Sequence, residues 1–314
     1  MTSMTYGSIM SDPLKSQKIL DALEALKNCL TEASSLRSTI NSRFDSELRV
    51  LQDEKERGPA LDAEKIPRSI QNMFYHDLKT GNATPYGTKH LFLDDHIRLA
   101  HIHKNRHYQW VLAEAYEAFE DFLEHIYAGL GYVDFDFWPM SDFGNTRYPD
   151  LSTKGFAWFL NQAVLKKNKP NSILTCFRNT FKELRDIEQK NKLDLHAGFE
   201  ICLIAKLRHL IVHNSGLAKN KDEVIDKTLR EAGINGKSKE ILTARANNFF
   251  NKLKNTEDTH VYLLGHPIPH FGFMSIHNLD NFLGFMMSYA QILTEISFRH
   301  LYDKGLISAQ TEKK

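Results

Sequence analysis

Residues 14–57 read LKSQKILDALEALKNCLTEASSLRSTINSRFDSELRVLQDEKER, and this stretch decides the fold class, because it holds neither Gly nor Pro. Within it Ile19, Leu23, Leu26, Leu30, Ala33, Ile40, Phe44 and Leu51 recur at steps of four and three, interrupted only at Arg37 and Glu47. That spacing predicts one long helix with a coiled-coil-like seam. Such a seam either packs along its own domain or pairs with another chain. Gly58-Pro59 is the expected stop.

Composition agrees with a mainly α protein. Gly (16) and Pro (9) are scarce for 314 residues, which disfavours a turn-dense β fold, and 42% hydrophobic residues supply an ordinary core. Cys29, Cys176 and Cys202 are far apart and never form a C-x-x-C pair, so neither a disulfide framework nor a cysteine zinc site is expected, and a reducing cytosol fits. Residues 1–12 lack a basic segment followed by an apolar one, and no run of about 18 apolar residues occurs, so neither export nor a membrane span is expected. Net charge is +1, so any nucleic-acid binding must be local.

Outward from the first helix, residues 60–90 carry Pro67, Gly81, Pro85 and Gly87 and read as a loop-rich connector with one short helix over 69–79. This sets a boundary between an N-terminal helical region, 1–90, and a helical domain, 91–314. In the latter, helices are expected over 91–130, 152–167, 172–190, 193–213, 222–231, 238–254 and 278–302. Residues 131–151 read as an irregular aromatic loop. One short β-hairpin, Val261–Leu264 with Phe271–Met274, interrupts an otherwise all-α arrangement.

The helix ending at Arg208-His209-Leu210-Ile211-Val212-His213-Asn214 carries the chemistry. Between Ile201 and Lys221 there is no Asp or Glu, yet Lys206, Arg208, Lys219 and Lys221 stand there with both histidines. Such a patch suits phosphate, making Lys206, Lys219 and Lys221 candidate RNA contacts. A histidine can take the proton from a 2′-hydroxyl while an arginine stabilises charge on the phosphate oxygens. Arg208 and His213 are five positions apart, about 140° around an ideal helix, so one helix alone makes an incomplete site. Glu200, two turns upstream, either orients Arg208 or is a surface carboxylate.

Arg208 to Gly216 resembles the R-x4-6-H signature of HEPN domains, a helical nucleotide-binding and ribonuclease superfamily of prokaryotic defence systems. The helix Glu114 to Glu120 resembles the family's early core helix, and Asn278 to Tyr302 its closing helix, so the likeness spans residues 91–310. The resemblance implies a HEPN-like bundle that dimerises with its motif helices side by side, so that Arg208 and His213 of two copies line one cleft. It implies a metal-independent toxin or defence ribonuclease that leaves a 2′,3′-cyclic phosphate and a 5′-hydroxyl, with an antitoxin or other defence protein as a possible partner. The residue after the arginine, most often asparagine in the family, is His209 here, which keeps the position polar. Asn214 closes the motif.

Two other readings stay open. The same fold serves as an inert dimerisation or nucleotide-sensing module in some family members. Alternatively, His90, His96, His101, His103 and His107, with Asp94 and Asp95 nearby, supply a metal-dependent hydrolase, since His103 and His107 stand at i and i+4. No G-x-x-x-x-G-K, G-x-G-x-x-G or G-x-S-x-G sequence occurs, which leaves nucleotide-loop and serine-hydrolase chemistry without support. The aromatics Phe135, Phe137, Trp138, Phe143 and Tyr148 either stack bases or pack the loop.

Overall fold

The computed structural model describes residues 13–57, 66–166, 171–236, 238–252, 258–268 and 271–308, and it is mainly helical. The Gly58-Pro59 stop and residues 1–12 lie outside the described residues. Helix α1 spans Pro13–Glu56, and the long helix α2, Leu93–Val133, lies along it. The seam of α1 turns inward: Ile19, Leu26, Leu30, Ile40, Phe44 and Leu51 are buried in the same core as α2. Burying each such side chain contributes about 1.5–3 kcal/mol. The interruptions in the seam also have places. Arg37 reaches Asp280 at 2.8 Å, and the core position beside Glu47 is filled by Leu48. Small residues let the two long helices meet, since a Cβ on Gly129 would lie 2.8 Å from the Ile19 side chain.

The connector holds strands, not the helix expected over 69–79. Strand β1, Ser69–His76, pairs antiparallel with β2, Ala83–Leu91, with a bulge after Met73. Its turn is built by Asp77, whose carboxylate accepts the Lys79 and Thr80 backbone N–H groups at 2.8 and 2.9 Å, and by Gly81 at φ +72°. Ile70, Phe74 and Tyr75 favour the extended chain, and cross-strand pairing with β2 outweighs the absence of a helix breaker between residues 69 and 79.

Beyond α2, three short 3₁₀ turns replace the irregular loop, and they are packed from inside. Phe137, Trp138 and Phe143 are buried, and the Trp138 indole N–H donates to Tyr127 O at 2.9 Å. These three rings are core, not stacking platforms. Helices α3 (Phe156–Leu165), α4 (Asn171–Thr180), α5 (Lys182–Gln189), α6 (Ala197–Asn214), α7 (Lys221–Glu231) and α8 (Ser238–Asn247) follow. The helix expected over 172–190 is therefore two, broken at Phe181, whose ring packs on Phe137. The helix expected over 238–254 ends at Asn247. There Phe249 turns in to stack on Phe282 at 4.6 Å, and residues 250–252 form a strand instead.

That strand, β3 (Phe250–Lys252), pairs with β4 (Thr259–Val261), and β5 (His266–Ile268) pairs with β6 (Phe271–Ile276). The hairpin expected between 261–264 and 271–274 is thus two separate two-stranded ribbons. Val261 is also anchored to α2, where the buried amides of Asn105 and Gln109 donate to Val261 O at 2.8 and 2.7 Å. Helix α9, Asn278–Asp303, closes the core against α1 and α2. No helix among the described residues is long and apolar enough to cross a membrane.

Candidate functional site

Helix α6 begins later than Leu193. Asn191 bridges the preceding turn, its amide donating to Leu195 O at 2.7 Å, and the His196 ring accepts the Phe199 N–H at 3.1 Å as the N-cap. The helix runs to Asn214, one residue past the expected 213. Ser215 is left-handed at φ +53°, and Gly216, at φ +76°, closes the turn by donating to Leu210 O at 2.9 Å. Gly216 is needed twice over, since a Cβ there would also lie 2.7 Å from the Gln109 amide. Gly216 O accepts the Val261 N–H at 2.8 Å, so α2, α6 and β4 meet at the C-terminal end of the motif.

Arg208 and His213 do not converge within one chain. Arg208 turns toward α2, where its Nη2 donates to Glu117 Oε1 at 2.8 Å, while His213 turns away and packs on the His209 ring at 4.6 Å. Between these two edges the outer face of α6 carries Val212, 38% exposed, and the small Ala205. The Glu117 carboxylate is 60% exposed and the Arg208 side chain 24%, so water screens the pair, and its contribution is about 1 kcal/mol or less. Arg208 Nε and the Tyr116 hydroxyl are buried and lack hydrogen-bond partners among the described residues. Burial holds the Tyr116 phenol well above its usual range, so its hydroxyl stays protonated.

His209 is held below the ordinary histidine range, first by burial and then by the neighbouring His213, Lys206, Arg208 and Lys227. Its neutral form is favoured at neutral pH, which is the form that accepts a proton. His209 also lines a groove of about 590 Å3 between α6 and α7, together with Lys206, Asn214, Lys219, Lys227 and Glu223. The structure therefore gathers Lys206, Lys219, His209 and Asn214 from the predicted set. Lys221 is outside this groove and lies 3.7 Å from Asp222. The patch is less cationic than its own segment suggests, because carboxylates arrive from other helices: Glu231 takes Lys206 at 2.7 Å, and Glu117 takes Arg208.

Glu200 neither orients Arg208 nor sits on the surface. It is buried and accepts from Arg245 Nε at 2.7 Å and Nη2 at 3.2 Å, which ties α8 to α6. A carboxylate at this depth is tolerated only with such a partner. Cys202, six residues before Arg208, is pushed up to about 11 by burial and offers no thiolate nucleophile.

The histidines of the alternative metal reading stay apart. His96 bonds Ser69 Oγ at 3.0 Å, His107 turns back to His103 O at 2.7 Å and packs on Phe44, and His90 stands on β2. No three candidate donors meet among the described residues. The residues that sequence reasoning missed are Glu117, Lys227, Gln109 and Asn105. Their signal was available only as polar positions on α2 and α7, since each acts across more than ten residues of chain. Compared with known proteins, the chain matches no family model, no curated protein and no solved structure.

Proposed function

We propose that this chain is a cytoplasmic, metal-independent endoribonuclease of HEPN type, acting as a homodimer in a toxin or defence role. The observation that carries this reading is the outer face of α6, which presents Arg208 and His213 on opposite edges with the exposed Val212 and His209 and the half-buried Ala205 between them. A second copy laid on that face brings Arg208 of one chain toward His213 of the other. In that cleft a neutral imidazole of His213, assisted by His209, takes the proton of a 2′-hydroxyl, and the oxygen attacks the adjacent phosphorus. The bond to the 5′-oxygen breaks, and the leaving oxygen takes up a proton from the imidazolium. Arg208 holds the charge that builds on the phosphate oxygens, exchanging its screened contact with Glu117 for the phosphate.

Labelled RNA incubated in excess chelator tests this reading. Cleavage by the wild type that is lost in both Arg208→Ala and His213→Ala is expected, and equal background in all three sinks it. The same Arg208–Glu117 pair favours a second reading, an inert dimerisation or nucleotide-sensing module in which the arginine stays neutralised. Under that reading the wild type dimerises but leaves RNA intact.

A further inference from the structure

The β1–β2 hairpin is built in a way that its own stability does not explain. A lone two-stranded ribbon is marginal in water, and its apolar residues ordinarily face a core. Here Ile70, Phe74, Tyr75 and Tyr86 are all exposed, Phe74 by 57%, and Leu78 projects at the tip. They are not gathered on one side. By register Phe74 shares a face with Ile70, Asn72 and His76, while Tyr75, whose ring lies 6.4 Å from that of Tyr86, occupies the other face with Gln71 and the half-buried Met73. An apolar protein partner would need one continuous greasy face. Separate rings spaced by amides and hydroxyls instead offer individual stacking surfaces.

Charge selects the occupant. Between residues 69 and 91 the ribbon carries Lys79 and Lys89 against one carboxylate, Asp77. Asp77 is consumed by the turn, where it accepts from Thr80 and Lys79 and is held below the usual carboxylate range by those bonds. The ribbon therefore presents aromatic rings and cations but no unengaged carboxylate, the equipment that grips single-stranded nucleic acid.

Farther along α2, past Asp94 and Asp95, which are paired with Lys55 and Arg98, the residues His103, Arg106, His107 and Trp110 are exposed and lie within about 80° of Glu117 around the helix at 100° per residue, with Glu47 of α1 within electrostatic reach of His103. Trp110 is 64% exposed. From the foot of the ribbon at Leu93 to Glu117 the helix rises about 36 Å, at 1.5 Å per residue. His260 of β4 lies within electrostatic reach of Arg106, and it bridges to Leu217, just past the motif. Beyond Trp110 the stripe becomes acidic, with Glu114, Glu117 and Asp121, and Glu117 holds Arg208.

We propose that the β1–β2 hairpin and the His103–Arg106–His107–Trp110 stripe form a track for single-stranded RNA that delivers the strand to Arg208 and His213. The inference rests on the ribonuclease reading for its choice of RNA, yet its test is binding, not cleavage. The probe is 2′-O-methyl oligouridine, which offers no 2′-hydroxyl nucleophile, labelled with fluorescein at lengths of about 6 and about 20 nucleotides, spanning the range single-strand sites cover. Anisotropy titration of the full chain is expected to show the long probe bound at least tenfold more tightly than the short one. The triple variant Phe74→Ala, Tyr75→Ala, Tyr86→Ala should lose most of that advantage with the short probe unchanged. The charge variant Lys79→Glu, Lys89→Glu, which leaves the packing of the ribbon untouched, should do the same, as should Arg106→Ala with Trp110→Ala.

A length advantage that survives the hairpin variants overturns the track, as does a wild type that binds neither probe. A hairpin that captures a protein in place of RNA, with RNA affinity unchanged in the variants, overturns it as well. If RNA is never cut but the length advantage disappears in the variants, the track stands and the ribonuclease reading falls. If RNA is cut and the variants bind and cut long RNA like the wild type, the track alone falls.

Discussion

Gly216→Ala perturbs the point where α2, α6 and β4 meet, and its cost can be worked from three contacts. The residue sits at φ +76°, where a Cβ costs about 1 kcal/mol. The new methyl would also lie 2.7 Å from the Gln109 amide, which must swing away and release its 2.7 Å bond to Val261 O. Losing a buried hydrogen bond costs about 1–3 kcal/mol, toward the lower end here because Asn105 still donates to the same carbonyl. The sum is about 2–3 kcal/mol of unfolding free energy, read by urea denaturation with far-UV circular dichroism at constant m. Gln109→Ala alone should cost about 1 kcal/mol and leave room for the methyl, so the double variant should lose less than the sum of the singles. A Gly216→Ala cost below about 0.5 kcal/mol, or strict additivity with Gln109→Ala, would refute the reasoning.

Three further outcomes are expected. Glu200→Ala strands Arg245 beside a buried site and should destabilise the fold by about 3 kcal/mol, reduced if the half-exposed arginine finds water; unchanged stability with lost RNA cleavage would instead give Glu200 a role at Arg208. Glu117→Gln frees the guanidinium and should tighten binding of the 6-nucleotide probe by up to about fivefold, the worth of one screened pair, in a titration that would read no change or weakening if Glu117 positions Arg208 productively. His103, His209, His260 and His277 are all held below the ordinary histidine value of 6.5, chiefly by burial, so the unfolded chain binds more protons than the folded one just below that pH. Stability should therefore fall as pH drops from about 6.5 toward the depressed folded values, and a urea midpoint that rises over that interval contradicts the shifts.

What could be read from the sequence follows the range of the interactions. The seam from Ile19 to Leu51 and the end of the motif helix near residue 213 are local signals, and both appear within a residue of where the sequence places them. Ser69–His76 was misread because strand identity there depends on pairing with Ala83–Leu91, a segment whose Pro85 and Gly87 look like loop. The break at Phe181 and the end of α8 at Asn247 are set by where Phe181 and Phe249 find rings to pack on, which no local pattern records. At the site, Arg208, His209 and His213 were visible as a motif. Glu117 and Glu231 were not, so a segment free of carboxylates looked more cationic than it is once folded. Glu200 shows the opposite error: a charged residue expected at the surface or beside Arg208 is buried because Arg245, 45 residues away, comes to meet it.

The central claim is that a 2′-hydroxyl, activated at His213 and met by Arg208, is the nucleophile. The most direct measurement is the mass of the fragments released from a defined RNA in excess chelator, beside the same RNA with a single 2′-deoxy nucleotide at the cut position. The account predicts fragments ending in a 2′,3′-cyclic phosphate and beginning with a 5′-hydroxyl, and no cut at the deoxy position. Fragments with a 3′-hydroxyl and a 5′-phosphate, or cleavage at the deoxy position, would make water the nucleophile and contradict it.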